Sequence, residues 1–217
     1  MSSGLEPLAA TRTLAAHARQ AVLAAIADGR MAAGQRYSVA QLAEQLGISR
    51  TPVREALLVL EREGRVRFER NRGVRVLETT AADVAEVFEL RMLLEVPATV
   101  KACGVVDADA LQVELDAMGA RARAGEEAAF MDHDERFHDL VLRSAGNARL
   151  ADIVARLRDA VRGRGASTVG RSRGLDEIHA EHAAILQALR AGDAPAAAEA
   201  MRMHLERTRD LLLEQEG

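Results

Sequence analysis

Four polar residues in this 217-residue sequence sit where a helical pattern calls for apolar ones. Over residues 126–145, at about 100° per residue, Phe130, Asp134, Phe137, His138 and Val141 share one stripe, with Asp134 and His138 at i and i+4 inside it. Over 175–191 the stripe Ile178, His182, Ile185, Leu186, Leu189 contains His182. Over 195–214 the stripe Ala197, Met201, His204, Leu205, Thr208, Leu212 contains His204. A carboxylate in apolar surroundings is costly unless paired, and no Lys or Arg shares the stripe of Asp134. A divalent cation would neutralise it and take imidazole nitrogens from facing helices, as bundle-core metal sites do. One core histidine alone is ordinarily a hydrogen-bonded packing residue. Three on separate stripes, with an aspartate at i−4, point instead to one divalent ion per chain. Zn, Ni or Mn would suit this mixed nitrogen and oxygen set. His133 and His179 fall at the stripe edges and His17 reads as surface, so none of these joins the set.

A metal preferring five or six ligands would keep positions for water or for a small carboxylate. Arg91 shares a stripe with Val84, Phe88, Glu95 and Ala98. It could hold an effector carboxylate with a bidentate fork, pair with Glu95 at i, i+4, or sit at a dimer interface. Asn147 reads either as an effector contact or as the cap of the helix that follows. Val87, Phe88, Phe137 and Leu186 would line an otherwise apolar cavity, better suited to a small acid than to a nucleotide or sugar phosphate. Aspartate plus three histidines would also leave room for a catalytic water. However, these stripes carry no further carboxylate or histidine placed as a general base.

A second group lies near the N-terminus, in Gly47-Ile48-Ser49-Arg50-Thr51-Pro52-Val53-Arg54-Glu55-Ala56-Leu57. On a helix starting at about residue 50, Val53, Ala56, Leu57 and Leu60 pack inward. Arg50, Thr51 and Arg54 then project together near the N-terminal end. In a helix-turn-helix that end enters the major groove. Arginine can pair with guanine O6 and N7, threonine can contact a base or a phosphate, and the helix N-terminus favours a phosphate. Two arginines alone would read as a solvated basic face, but the segment that follows weighs against that. In Arg65 to Leu77, Val66 and Phe68 alternate with arginines, Asn71 to Gly73 supply a turn, and Val74 and Val76 alternate with Arg75. This is a β-hairpin with one apolar and one basic face.

The elements that must position these residues follow from the spacing of apolar residues and stop signals. Residues 11–28 form a helix ended by Gly29 and Gly34. Ser38 with Gln41 fits a capping box for a short helix over 39–46. Ser49, or Thr51 with Pro52, opens a third helix, which Gly64 closes. Three helices and a hairpin make a winged helix-turn-helix. From Thr79 or Thr80 onward every signal is helical, with stretches to about 103 and over 107–123, 126–145, 147–161, 175–191 and 195–214. Residues 162–174, rich in Gly and Arg, read as a loop or broken helix. The chain therefore divides into residues 1–78 and 79–217, and is mainly α: a winged helix-turn-helix followed by an all-helical antiparallel bundle.

Composition agrees. Alanine fills 43 positions and aromatic residues only 2%, which favours helix over a β-sandwich and excludes base-stacking aromatic platforms. A single cysteine, Cys103, excludes an internal disulfide framework and a multi-cysteine zinc site. No apolar run spans a membrane and no secretory signal is visible, so a cytoplasmic location is expected. The net charge of −4 hides an asymmetry, +4 over residues 1–78 and −8 over the rest, which assigns a polyanion partner to the N-terminal part.

The run Leu42-Ala43, Leu46-Gly47-Ile48-Ser49-Arg50-Thr51-Pro52-Val53-Arg54-Glu55-Ala56-Leu57, Leu60-Glu61, Glu63-Gly64, together with Gly73, resembles the DNA-binding domain of the GntR family of bacterial transcriptional regulators over residues 14–76. Residues 82–213 resemble the FCD ligand-binding domain of its FadR-type subfamily. The matching residues there are Glu89-Leu90-Arg91, Glu95, Asp134, Phe137-His138, Asn147, Glu181-His182, Gly192-Asp193 and His204-Leu205. The resemblance implies a homodimer on a palindromic double-stranded operator. Arg50, Thr51 and Arg54 would lie on bases or phosphates, and Asn71, Arg72 and Gly73 at a wing tip in the minor groove. It also implies metal ligands at Asp134, His138, His182 and His204, and a small organic acid effector. The expected function is a transcriptional regulator, in the first instance a repressor relieved by its effector. A regulator answering to the metal itself and a metal-dependent enzyme are the alternatives.

Overall fold

The computed structural model describes residues 11–70, 72–78, 80–162 and 173–214. The chain forms two compact units: the described residues up to Glu78 together with residues 160–162 make up the first, and those from Thr80 to Asp159 and from Arg173 onward the second. In the first, α1 (Thr11–Ala27), α2 (Val39–Gln45) and α3 (Arg50–Arg62) combine with strands β1 (Arg36–Tyr37), β2 (Val66–Glu69) and β3 (Gly73–Val76). The strands form an antiparallel sheet in the order β1-β3-β2. Val66 lies opposite Val76 and Phe68 opposite Val74, as the alternation of the hairpin requires. The third strand, β1, pairs Arg36 with Arg75 and Tyr37 with Val74. Two residues are too short to show a period of two, so the sequence pattern did not reveal it.

Local signals explain the helix ends. The Ser38 hydroxyl accepts from the Ala40 N–H at 3.2 Å and opens α2. Pro52 sits in the first turn of α3, where a missing N–H costs little. Val53, Leu57 and Leu60, all fully buried, turn one face of α3 into a core with Val22 and Ile26 of α1, Leu42 of α2 and Val66, Val74 and Val76 of the sheet. Each such side chain contributes about 1.5–3 kcal/mol on burial. This core leaves the N-terminal turn of α3 facing outward.

The second unit is helical among the described residues: α4 (Ala81–Ala102), α5 (Ala108–Ala124), α6 (Glu127–Ser144), α7 (Ala148–Arg162), α8 (Leu175–Ala191) and α9 (Ala194–Glu214). Thr80 and Asp83 close a reciprocal capping box on α4, and Asp107 caps α5. Helix α4 packs on α9 and α6, α5 on α6 and α8, and α8 on α9. Ala151 and Val154 bring α7 against Ala98 and Leu142. Most of the segment read as a loop or broken helix, residues 163–172, lies outside the described residues. No described helix is long and apolar enough to cross a membrane.

Candidate functional site

The outward end of α3 forms one site. Arg50, Thr51 and Arg54 are exposed. With Ser38, Val39, Ala40, Phe68, Glu69 and Gly73 they line an open concave surface of about 470 Å³. Ser49 precedes α3 in an extended conformation without a side-chain cap bond, so the first N–H groups of the helix stay open to an anion. The Arg54 guanidinium lies 5.4 Å from the centroid of the Phe68 ring, a cation–π contact that holds it beside the wing. Glu69 would oppose a phosphate here, but Arg75 and Arg36 each bind it at 2.6 Å, and the Arg75 hydrogen bond holds its carboxyl below the usual range. Gly73 has φ +88, and a Cβ there would collide with the Tyr37 carbonyl oxygen. Its glycine is therefore required by the passage of β1 beside β3.

The second site is buried and takes residues from five helices. Asp134 and His138 come from α6, His182 from α8 and His204 from α9; none is more than 4% exposed. One candidate ligand atom from each lies within 4.8 Å of the other three. His182 donates its Nδ1–H to the Ile178 carbonyl at 2.8 Å; a carbonyl can only accept, which fixes the tautomer. His138 donates Nδ1–H to Glu95 Oε2 at 2.7 Å. Burial pushes Glu95 up, but Arg91 and His138 outweigh it and hold the carboxyl well below its usual range. Neutral rings in these tautomers present bare Nε2 atoms, and the two Nε2 atoms face one another at 3.2 Å. Asp134 Oδ1 lies 3.1 Å from His182 Nε2. Three electron-pair donors thus converge in a dry interior. That arrangement is repulsive when empty of protons and favourable around a cation.

Each of the four has an outer partner. The Arg158 guanidinium of α7 binds Asp134 Oδ2. Glu95 orients His138, the Ile178 carbonyl orients His182, and Glu181 Oε2 accepts from His204 Nδ1 at 2.7 Å. Outer partners of this kind fix the ring orientation and basicity of metal ligands. Arg91 Nε binds Glu95 Oε1 at 2.5 Å, and Arg173 Nη1 binds Glu181 Oε2 at 2.7 Å. Burial and Arg158 lower His138 to about 4, while burial and the neighbouring His182 hold His204 well below the usual histidine range. Burial raises Asp134, but Arg158 and His182 bring it well below the usual carboxylate range. Both histidines are therefore neutral and the aspartate ionised at pH 7, the protonation states that metal ligation requires.

The N-terminal residues 14–76 match the gntR family of bacterial regulatory proteins, and residues 86–207 match the FCD domain. A relative from Paenarthrobacter nicotinovorans, described as a probable D-xylose utilization operon transcriptional repressor, is 31% identical over 198 residues, covering 89% of this chain and 86% of its own. The chain belongs to the GntR family. A GntR protein of known structure from Rhodococcus sp. RHA1 superposes with a TM-score of 0.77 at 24% identity, over 93% of this chain and 98% of that one. The metal-free FCD domain of TM0439 superposes with a TM-score of 0.51 at 20% identity, over 62% of this chain and 94% of that domain. This GntR chain is accordingly a DNA-binding transcriptional regulator and not an enzyme.

The structure of this regulator brings Arg50, Thr51, Arg54 and Gly73 to one surface. Arg72 is exposed beside Gly73, and Asn71 lies outside the described residues. It also brings Asp134, His138, His182 and His204 together. The expectation that Asp134 lacks a cation needs correction: its own stripe has none, but Arg158 supplies one from another helix. Arg91 takes the ion-pair alternative with Glu95, and its guanidinium also lies 5.0 Å from the Phe88 ring centroid. Asn147 is exposed and its Oδ1 accepts from the Arg149 N–H at 3.1 Å, which is the capping alternative. His133 pairs with Glu114 at 2.7 Å, apart from the four. Sequence reasoning missed Arg158 and Arg173, and named Glu181 only as part of the FCD resemblance without giving it a role. Arg158 did leave a signal: with Ala151 and Val154 it lies on the buried stripe of α7, a charged residue where an apolar one belongs. Arg173 lies in no helix and left no such signal.

Proposed function

We propose that this GntR regulator is a repressor that binds a palindromic operator as a homodimer, and that its FCD domain senses a small carboxylate effector at a divalent metal. The observation that carries the metal reading is the convergence of Asp134 Oδ1, His138 Nε2 and His182 Nε2 at 3.1–3.2 Å with every Nδ1 already committed. Asp134, His138, His182 and His204 would hold one Zn, Ni or Mn ion. The ion would supply Lewis acidity and open positions for a carboxylate. In the N-terminal unit, Arg50, Thr51 and Arg54 would contact bases or phosphates in the major groove, and the wing at Arg72 the minor groove. Control is by linkage: an acid that binds one dimer geometry better shifts the population, and operator affinity with it.

The test uses DNA selected by binding from random sequence and the full chain, stripped of metal or loaded with Zn or Ni. Operator affinity is titrated with and without small organic acids. The reading requires that an acid weakens DNA binding by the loaded protein and not by the stripped protein. Loss of DNA binding on metal loading alone would assign the signal to the metal, and no metal uptake would remove the metal from the mechanism.

A further inference from the structure

The buried centre has a charge count that goes beyond its ligands. Three carboxylates, Asp134, Glu95 and Glu181, face three buried guanidiniums, Arg158, Arg91 and Arg173; a fourth, the half-exposed Arg207, also reaches Glu181 at 3.5 Å but is itself paired with Glu177 at 3.3 Å. Arginine stays charged under all relevant conditions, and metal-bound histidines are neutral. Counted over the described residues, the buried shell is therefore electrically balanced before any ion enters. A divalent ion would leave it two charges positive. All six side chains lie mostly out of water: the three arginines are 7% exposed, Glu95 is 0% and Asp134 4%, and the Glu181 side chain is 14% exposed. Uncompensated charge is costly in such a place.

The three arginines are not equivalent. Arg91 binds Glu95, which has its other oxygen on His138. Arg173 lies on both oxygens of Glu181, at 2.7 and 2.8 Å. Both are held by carboxylates outside the ligand set. Arg158 alone of the three is on a carboxylate that is itself a ligand candidate, with Asp134 Oδ2 toward the guanidinium and Oδ1 toward the histidines. A metal on Oδ1 would draw charge from the same carboxylate that neutralises Arg158. An anion bound to the metal would then find this guanidinium on the neighbouring ligand.

We propose that the centre loads as a metal–anion pair and that Arg158 sets its preference for a doubly charged acid over a singly charged one. This rests on the metal reading above and names the chemical class of its effector: a small dianion, a dicarboxylate foremost. One negative group sits on the metal and the second charge is balanced by Arg158. Removing the Arg158 charge takes the loaded shell from two positive charges to one, at which point a monoanion suffices.

The experiment titrates Zn into chelator-stripped full-length protein in a chloride background and with added acetate, succinate or sulfate. For the wild type, succinate or sulfate should tighten Zn binding about tenfold or more beyond acetate, since an uncompensated charge in a low-dielectric site is worth more than that factor. Arg158→Lys should keep this preference. Arg158→Gln should abolish it, so that acetate serves as well as either dianion, whatever happens to absolute Zn affinity. A role for Arg158 confined to orienting Asp134 would weaken Zn binding equally in every anion and would overturn the proposal. So would a wild type indifferent to anion charge, a result that needs no variant. Absence of Zn or Ni binding under any condition would overturn the metal reading as well; Zn binding that ignores the anions would overturn only this inference.

Discussion

In the N-terminal unit Arg50, Arg54 and Arg72 stand exposed around the end of α3 and the wing, with Arg54 laid over Phe68. In the C-terminal unit Arg91, Arg158 and Arg173 are buried, each against a carboxylate. The same side chain thus does opposite work in the two units. Outside, its charge is left available to a polyanion, and the one acid in the concave surface, Glu69, is neutralised by Arg36 and Arg75. Inside, charge is cancelled pair by pair, and what remains available is a set of lone pairs. The lesson is that burial and pairing, not residue type, decide whether an arginine's charge stands open to solvent or is committed first to a neighbouring side chain.

The sharpest way to break this contrast is to remove one member of an interior pair. Glu95→Ala leaves the Arg91 charge and the His138 Nδ1–H without their partner. We expect a loss of about 3–5 kcal/mol in urea unfolding, the usual cost of orphaning a buried charge. An unchanged midpoint would mean that the interior pairs are not structural.

The interior should also respond to pH where the exterior does not. In chelator-treated protein, His138 titrates at about 4 when folded against an ordinary 6.5, and His204 is shifted the same way. The unfolded chain binds these protons first, so stability is full above pH 6.5 and falls as pH drops from there toward 4, by about 3 kcal/mol for His138 alone. Thermal melts across that window test it, with His138→Gln expected to flatten the slope. Metal should steepen the contrast. Zn at a hundredfold excess over its dissociation constant should stabilise the wild type by about 2.7 kcal/mol, and His182→Ala should lose most of that gain.

On the outside, effects should appear in DNA binding while stability stays level. Arg54→Ala should cost about 1–3 kcal/mol of discrimination between operator and unrelated DNA, measured by gel shift at fixed salt. Arg72→Ala should give the smallest effect: weaker binding to all sequences alike and a salt dependence flatter by about one unit, if its contact is to phosphate. Loss confined to a single base position would assign Arg72 to sequence reading.

Much of this organisation is legible in the amino-acid sequence. The helix start at Thr79 or Thr80, the breaks between residues 123 and 126 and between 191 and 195, the hairpin alternation of Val66, Phe68, Val74 and Val76, and the four ligand candidates were all visible in sequence. Each is written in local periodicity: an apolar stripe, a cap, or a polar residue out of place on a stripe. Strand β1 was not, because two residues carry no period and its existence depends on β3 beside it. Nor was the outer shell. Glu95 was visible as a neighbour of Arg91 but not as the partner of His138, forty-three residues away. Arg158 was a charged residue on a buried stripe, but its target lay on another helix.

The sequence by itself determined most of the apolar residues that are buried along each helix, because their burial follows from hydrophobic spacing; the burial of Arg173, which lies in no helix, does not follow from it. Only the tertiary structure decided how the buried charges pair, which tautomer each histidine takes, and whether Asp134 meets a cation. Those outcomes depend on distances of about 3 Å between side chains on different helices, and electrostatic interactions in a dry interior change steeply over that range.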